Sequence, residues 1–434
     1  MINLFLQFDA DSIAIYNSQQ VAGLKIPTIV IFDDGFLPQD IMTPYKFFAG
    51  IGHKRVHGRY FNALDIPEYY EIRGDNQQAK VIHMTKELAH IHYRRDYKRR
   101  IIERVDFLDD NQQVMMTEYY NQYGDKFKEV NYNETGLAIF ERFFDEAGRE
   151  IIYINHRTQS ISLRHNGKER MFSSMEDFLS YYLECAKVDT SQFIINRLSL
   201  PLFTVLKQGE GRDILYWQED TEHVPENMRY ALEDVKHRKF KVVVPKKATY
   251  NLLVQQLPGK NIIQTGYLYR YMRNWTNTRN VAILTNSDSI AHLEAIITAS
   301  PDYTFRIMAI TEMSGKLKAL MKYHNVHLYP NASIEAIRDV YQQCSIYLDI
   351  NDGNEIMNAV RSAFDYQQVI LGYKEIAHNQ TFTHPDCLFA KADYKHLIER
   401  LNQLKTDQAI EQAVLAQRSA AGEAELETFV SVYQ

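Results

Sequence analysis

The chain predicts an α/β protein of two doubly wound, parallel-sheet domains, the first interrupted by an inserted antiparallel β-meander. Three observations lead there. Short apolar runs alternate with stretches of helical periodicity at the start of the chain and again from Met175 onward, the pattern of βαβ units. Between about residues 60 and 170 that alternation stops, and turn tetrads recur at a fixed step of twelve residues. A length of 434 residues also exceeds what one hydrophobic core usually serves. The expected division is a first domain of residues 1–60 and 171–275, an insert of 61–170, and a second domain of 276–434 with a closing C-terminal helix.

In order, residues 3–8 read as a strand, 12–22 as a helix ending at Gly23, and 27–32 (PTIVIF) as a second strand. The loop after the first strand has no glycine, so the phosphate-cradling turn common at a first βα junction is missing. Asp9 and Asp11 form a DxD at that strand end; a helix cap or solvated carboxylates is the expected role, ahead of metal binding. The tetrads Asp109–Gln112, Asn121–Gly124, Asn133–Gly136 and Asp145–Gly148 are each twelve residues apart. Arg157–Ser160 keeps the step, and Asn166-Gly167 adds another turn. Asn or Asp bonds its own backbone and Gly tolerates positive φ, so Asx-x-x-Gly suits tight turns. The runs between them, such as KFKEVNYN and LAIFERFF, are rich in β-formers, giving a meander of at least five strands. One face of such a sheet must be covered; the other, lined with Tyr, Arg and Lys, is expected to be an interaction surface.

From Met175 a helix (175–186), an apolar stretch (193–205), strands at 213–217, 240–244 and 261–264 and helices near 226–232 and 249–256 complete the first domain. Gly209-Glu-Gly211 is half of a dinucleotide fingerprint, but it precedes a strand and lacks the third glycine. The second domain has strands at 281–284, 305–309, 326–329, 346–350 and 369–371, and helices near 289–299, 314–323, 333–343 and 354–365. Residues 392–434 are helical by propensity.

Composition narrows the function classes. Apolar content of 45% is that of a globular protein, and a net charge of −6 argues against nucleic acid as a partner. The stretch 92–104 (HYRRDYKRRIIER) is basic and tyrosine-bearing, but it fits the solvated side of two strands. Cys185, Cys344 and Cys387 have no metal spacing and read as reduced thiols. MINLFLQFDADS lacks basic residues and is not expected to be a signal peptide, and no run is long enough to span a bilayer. His324, His327, His378 and His384 form no HExxH or Cys/His cluster, so surface or satisfied histidines are expected, and neither GxSxG nor a P-loop occurs.

One stretch has the architecture of a ligand site. In DINDGNEIMNAVRSAFDYQQVILG, from Asp349 to Gly372, a strand, a glycine-bearing turn, a helix and a second strand follow one another. Ligands of open α/β sheets sit where such a strand ends and the helix begins, because free helix N–H groups attract anions there.

This segment resembles the donor-binding stretch of retaining, nucleotide-sugar-using glycosyltransferases of the GT-B type, two Rossmann-like domains. More closely, PTIVIFDDGFLP, FNALDIPEYYEIRGDNQ, DILYWQED, VPENMR and NAVRSAF resemble the GtfB-type family of the accessory-Sec system. The resemblance covers nearly the whole chain. It implies a chaperone and co-activator of the enzyme that puts GlcNAc on Ser/Thr of serine-rich-repeat adhesins. It further implies a catalytic partner docked through the meander, an adhesin acceptor polypeptide, and a cytoplasmic place, possible also as a peripheral one at the inner membrane face.

The departures from an active transferase carry the functional expectation. Counting back from Val369-Ile370, the places of two donor-binding glutamates fall on or near Gly353 and on Arg361, which cannot accept sugar or ribose hydroxyls. Glu355 is close to the first place, but Asp352 and Glu355 have capping-box spacing at an expected helix start. The Arg and Lys that neutralise a donor diphosphate correspond here to Asn286 and roughly Ala291, and Asp288 adds a like charge to the phosphates. Each lost cation removes on the order of 1.5–3 kcal/mol of charge-assisted bonding. The expectation is a chain with no cofactor and no catalytic residue, with Asp288, Asn286, Gly353, Asn358 and Arg361 as a degenerate donor site lining a polypeptide site. The alternatives are an active retaining transferase using UDP-GlcNAc, and a sheet-based scaffold with structural lobes.

Overall fold

A computed structural model of the chain describes residues 1–52, 56–75, 77–94 and 100–434; residues 95–99 of the basic stretch lie outside the described residues. It divides into two compact units, one of Met1–Gln19 with Leu24–Gln264, the other of Gln20–Gly23 with Thr265–Gln434.

The first unit holds a six-stranded sheet in the order Ile262–Gln264, Arg238–Val244, Gly211–Tyr216, Phe193–Ile195, Ile2–Phe5, Thr28–Val30, parallel throughout. Its central strands are near-continuous apolar runs because helices cover both faces of a parallel sheet. The pair that fixes one end of this sheet is fully buried. Arg238 donates from Nε and Nη2 to the two oxygens of Asp213 at 2.6 and 2.7 Å, and further to the carbonyls of Gly209 and Thr190. A Cβ on Gly211 would lie 2.2 Å from the guanidinium. Gly211 thus makes room for an arginine, and Gly209 offers it a carbonyl.

The insert is a ten-stranded antiparallel sheet from Glu71 to Phe172, each strand paired with the next in sequence. The twelve-residue step is one strand plus one turn. At each turn an Asx oxygen accepts two backbone N–H groups, as Asn133 Oδ1 does from Thr135 and Leu137 at 3.0 and 2.9 Å. Gly124, Gly136 and Gly148 carry φ of +90°, +77° and +74°, which a Cβ disfavours. In the Arg157–Ser160 turn the bonding Asx is Asn155, two residues before the tetrad. One side of the central strands carries an ion-pair ladder, with Lys126–Glu118 at 2.8 Å and Glu129 paired with Arg142, while Lys128, its Nζ 4.3 Å from the Tyr119 ring centroid, lies on the other side beside Phe143.

The meander is fastened to the parallel sheet by the DDGF loop after Thr28–Val30. Asp33 is almost fully buried and accepts from Gly35 N and Thr43 Oγ1 at 2.8 and 2.9 Å, and burial raises its carboxyl above the usual range. Gly35 O accepts from Gln122 N at 2.8 Å, and Gln122 Nε2 donates to Leu37 O at 2.7 Å. Gly35 has φ +83°, and a Cβ there would meet Phe127 and Tyr120 at 2.8 and 2.9 Å. Tyr45, Phe48, Phe178 and Tyr182 then pack beneath Phe127, Phe143, Ile161 and Leu163, so one core serves both sheets.

The second unit has a parallel sheet in the order Val326–Tyr329, Thr304–Ala309, Asn280–Thr285, Ile346–Asp349, Val369–Tyr373, Leu388–Phe389. The C-terminal segment is three helices, Tyr394–Gln403, Asp407–Ala420 and Leu426–Ser431, where one closing helix was expected. Among the described residues, no helix is long and apolar enough to cross a membrane.

Asp213→Ala is expected to cost about 3–5 kcal/mol by leaving Arg238 charged and unpaired in the interior. Asp213→Leu combined with Arg238→Met is expected to recover most of that loss, as read by urea unfolding of the full chain. A double variant no more stable than the single one would contradict this account.

Candidate functional site: a stitched loop pair at the carboxyl edge of the second sheet

The site is built where two adjacent parallel strands, Asn280–Thr285 and Ile346–Asp349, end. The loop after the first strand and the loop after the second are bonded to each other. Thr285 Oγ1 is 2.8 Å from Asn351 Oδ1, Ala291 N donates to Ile350 O at 3.0 Å, and Asp352 N donates to Ser289 O at 3.0 Å. Ser289 Oγ donates to Asp352 Oδ2 at 2.7 Å, and Lys391 Nζ to Asp352 Oδ1 at 2.6 Å. Gly353 is forced by this closeness: a Cβ on it would fall 2.1 Å from Asn286 Oδ1 and 3.1 Å from Ser287 Cβ.

Asp349 ends its strand at 1% exposure. A carboxylate that far from water needs a strong partner. His378 supplies it twice: its backbone N–H donates to Asp349 Oδ2 at 2.8 Å and its Nδ1 to Oδ1 at 2.5 Å. The other ring nitrogen, Nε2, donates to Gly353 O at 2.7 Å. Both ring nitrogens therefore act as donors, which is the imidazolium form. The hydrogen bond to Asp349 is the main cause that lifts this imidazole to about 9. His378 thus ties the strand end to the glycine of the next loop.

The helix that follows differs from expectation. It spans Ala359–Asp365, five residues later than the start near 354, because Met357 and Asn358 take φ of +53° and +50°. Ile356 is buried from a non-helical stretch, and its apparent helical spacing reflects that burial. The capping box is therefore not formed as read. Glu355 does cap, by accepting from Val360 N at 3.1 Å, whereas Asp352 is held by Ser289 and Lys391.

The five residues singled out in the sequence separate into two sets. Asn286 and Gly353 meet, with Asp288 exposed on the same loop as Asn286. Asn358 is exposed at the helix start and its side chain makes no cap bond. Arg361 is engaged elsewhere: Nε donates to Asp365 Oδ1 at 2.8 Å, and the guanidinium lies 4.7 and 5.2 Å from the ring centroids of Phe382 and Tyr269. An arginine so stacked fastens the segment before the second sheet to this helix.

Of the other histidines, His324 and His327 are exposed and His384 Nδ1 accepts from Asp386 N at 3.2 Å. Among the described residues, no three His, Cys, Asp or Glu are grouped to hold a metal ion. Asp9 caps the first helix through Ser12 N at 3.0 Å, and Asp9 and Asp11 both accept from Arg197 Nη2, at 2.8 and 2.9 Å. Neither the His378 clamp nor the role of Lys391 is legible in the chain, since their partners are 25 to 39 residues away and no local spacing encodes them.

Two doubly wound units, one carrying a long antiparallel insert, define a glycosyltransferase-like protein of the GT-B type. The GtfB N-terminal, middle and third domain families match residues 2–48, 70–173 and 175–257, and the GftB/GlyA-F C-terminal domain family matches 281–418. The chain belongs to the GtfB family. It is 36% identical over 414 residues to the UDP-N-acetylglucosamine–peptide N-acetylglucosaminyltransferase stabilizing protein GtfB of Streptococcus pneumoniae serotype 4, covering 94% of this chain and 93% of that one. The protein of the same name from Streptococcus agalactiae is 36% identical over 409 residues, covering 93% and 92%. The crystal structure of a GtfA/B complex bound to UDP and GlcNAc superposes with a TM-score of 0.91 at 31% identity, covering 100% of this chain and 99% of that one. The structure of accessory secretory protein 1, 2 and 3 from Streptococcus pneumoniae, TM-score 0.61 at 11% identity over 100% and 93% of the two chains, shares the fold.

A histidine raised in the folded state stabilises fully below its unfolded value near 6.5, and that contribution is lost as pH rises through about 9. His378→Gln is expected to cost about 1–3 kcal/mol at pH 6.5 and much less at pH 9.5, by urea unfolding at both values. An equal loss at the two pH values would rule out the charged clamp.

Proposed function

We propose that the chain is the non-catalytic stabilising and co-activating subunit of a protein O-GlcNAc transferase complex. In this reading it holds a Ser/Thr-rich adhesin acceptor and docks its catalytic partner through the meander, working in the cytoplasm with possible peripheral contact to the membrane. The domain division is that of residues 1–60 with 171–275, 61–170, and 276–434. Asp288, Asn286, Gly353, Asn358 and Arg361 are the remnant of a donor site. The observation that carries the reading is the closed loop pair. Where a transferase would place cations on a diphosphate stand Asn286, Asp288 and the backbone bond from Ala291 to Ile350. Its relatives are named as stabilizing proteins of a transferase. The ion-pair ladder on one face of the meander supports its use as an interface, since it offers charge complementarity to a partner.

Titration of the isolated chain with UDP-GlcNAc is expected to give no heat up to about 1 mM, meaning a binding free energy weaker than about −4 kcal/mol. Micromolar binding would instead make the chain a transferase in its own right. Co-expression with the catalytic partner and an adhesin acceptor is expected to give a larger acceptor mass shift with this chain than without it. Arg361→Glu is expected to diminish that gain, and sugar transfer by this chain alone would overturn the assignment.

A further inference from the structure

The second unit contains a hollow of about 850 Å³ lined by Arg273, Trp275, Gln367, Glu411, Leu415 and Arg418, among others. It lies at the amino edge of the parallel sheet, the edge opposite the stitched loops. Arg273 bonds the carbonyl of Cys344, two residues before Ile346–Asp349 begins, and Gln367 precedes Val369–Tyr373 by the same two residues.

The sequence builds its two walls in different ways. In the segment leading to the second sheet, Tyr271, Arg273 and Trp275 are half-buried while Met272, Asn274 and Thr276 are exposed, the alternation of an extended chain. On the helix Asp407–Ala420, Glu411, Leu415 and Arg418 follow at intervals of four and three and so share one face. Gln367 ties the walls together: its Nε2 donates to Arg273 O at 2.6 Å, and its Oε1 accepts from Arg418 Nη1 at 3.5 Å.

The charges on these walls are answered unequally. Arg418 is settled, since Nε and Nη2 donate to the two oxygens of Glu423 at 2.6 and 3.0 Å and the guanidinium lies 4.7 Å from the Tyr271 ring centroid. Arg273 is not. Its Nη1 donates to Asn274 O at 3.3 Å and to Thr276 Oγ1, and its Nη2 donates to Cys344 O. All three acceptors are neutral, and among the described residues no carboxylate pairs with it. Burial pushes this guanidinium below the ordinary arginine range, so a negative charge brought into the hollow gains more than it would on an open surface. On the helix wall Glu411 is exposed and has neither a hydrogen bond nor an ion pair among the described residues.

The hollow therefore offers one unanswered cation and one unanswered carboxylate, with Trp275 and Leu415 as apolar lining. A simple anion would satisfy Arg273 and be repelled by Glu411; a simple cation would meet the reverse. A molecule with both charges answers both. We propose that this hollow binds a small zwitterion, an amino-acid-like molecule whose carboxylate lies on Arg273, whose ammonium lies on Glu411, and whose hydrocarbon body rests against Trp275 and Leu415. The volume is within the range of small-molecule sites. Occupancy fastens the segment before the second sheet to the C-terminal helix, so the ligand stabilises the second unit by mass action.

The test is isothermal titration of the full chain, at fixed ionic strength, with two zwitterions of different charge separation, L-leucine and ε-aminocaproate. Each is compared with the analogues that lack its amine or its carboxylate: isocaproate and isoamylamine for leucine, caproate and pentylamine for ε-aminocaproate. At least one zwitterion is expected to bind about tenfold more tightly than either of its singly charged analogues, and the preferred one reports the span between Arg273 and Glu411. Glu411→Gln is expected to bring that zwitterion and its anionic analogue to within about threefold of each other, and Arg273→Gln to do the same for the cationic analogue. Glu411 is exposed and unbonded, so its variant reads the site without disturbing the packing. No binding of either zwitterion below about 10 mM, equal binding of zwitterion and analogues by the native chain, or unchanged discrimination in Glu411→Gln overturns the proposal.

Discussion

The second unit depends on how one buried charge is answered. Asp349 sits at the end of a central strand with almost no exposure, and a lone carboxylate there would be untenable. His378, as an imidazolium, neutralises it and at the same time bonds Gly353 of the following loop. Once that loop is fixed, its neighbours follow. Asp352 is brought to Ser289 and Lys391, Gly353 packs on Asn286, and the two carboxyl-edge loops are joined by backbone bonds. The carboxyl edge of these two strands is thereby lined by the chain's own mutually bonded polar groups. The same bonds make this edge rigid and join its two loops into one unit.

The first unit solves a different problem, that of joining a ten-stranded antiparallel sheet to a parallel one. A loop, not a strand, makes the joint. Asp33 folds the DDGF turn from within, and Gly35 lets it approach the hairpin at Gln122 closely enough to exchange backbone bonds. The aromatic layer around Tyr45 and Phe127 then excludes water from both sheets at once. This leaves one face of the central meander strands to ion pairs such as Lys126–Glu118 and Arg142–Glu129.

Much of this was legible in the chain. The alternation of apolar runs and helical segments located ten of the twelve parallel strands to within a few residues, because burial on both faces leaves a strong local mark; Phe193–Ile195 was read only as part of an apolar stretch, and the two-residue edge strand Leu388–Phe389 was missed. The twelve-residue step revealed the meander, since each Asx turn carries its own conformational reason in two or three neighbouring residues. The candidate site was legible only in part. Asp352 and Glu355 were assigned to one capping box, whereas Glu355 caps the helix alone through Val360 N and Asp352 is held by the distant Ser289 and Lys391. Positive φ at Met357 and Asn358 broke the helix that the apolar spacing suggested.

What the sequence determined by itself were the things set by neighbours within a turn or a strand: the element types, the turn chemistry of the insert, and the absence of cationic side chains after Leu284. What only the tertiary structure decided were the pairings across distance. These are the Arg238–Asp213 pair that accounts for Gly211, the three carboxylates gathered on Arg197, and the histidine that closes the edge at Asp349. Charge pairing in an interior is set by which atoms share a low-dielectric space, and no local spacing in the chain records that.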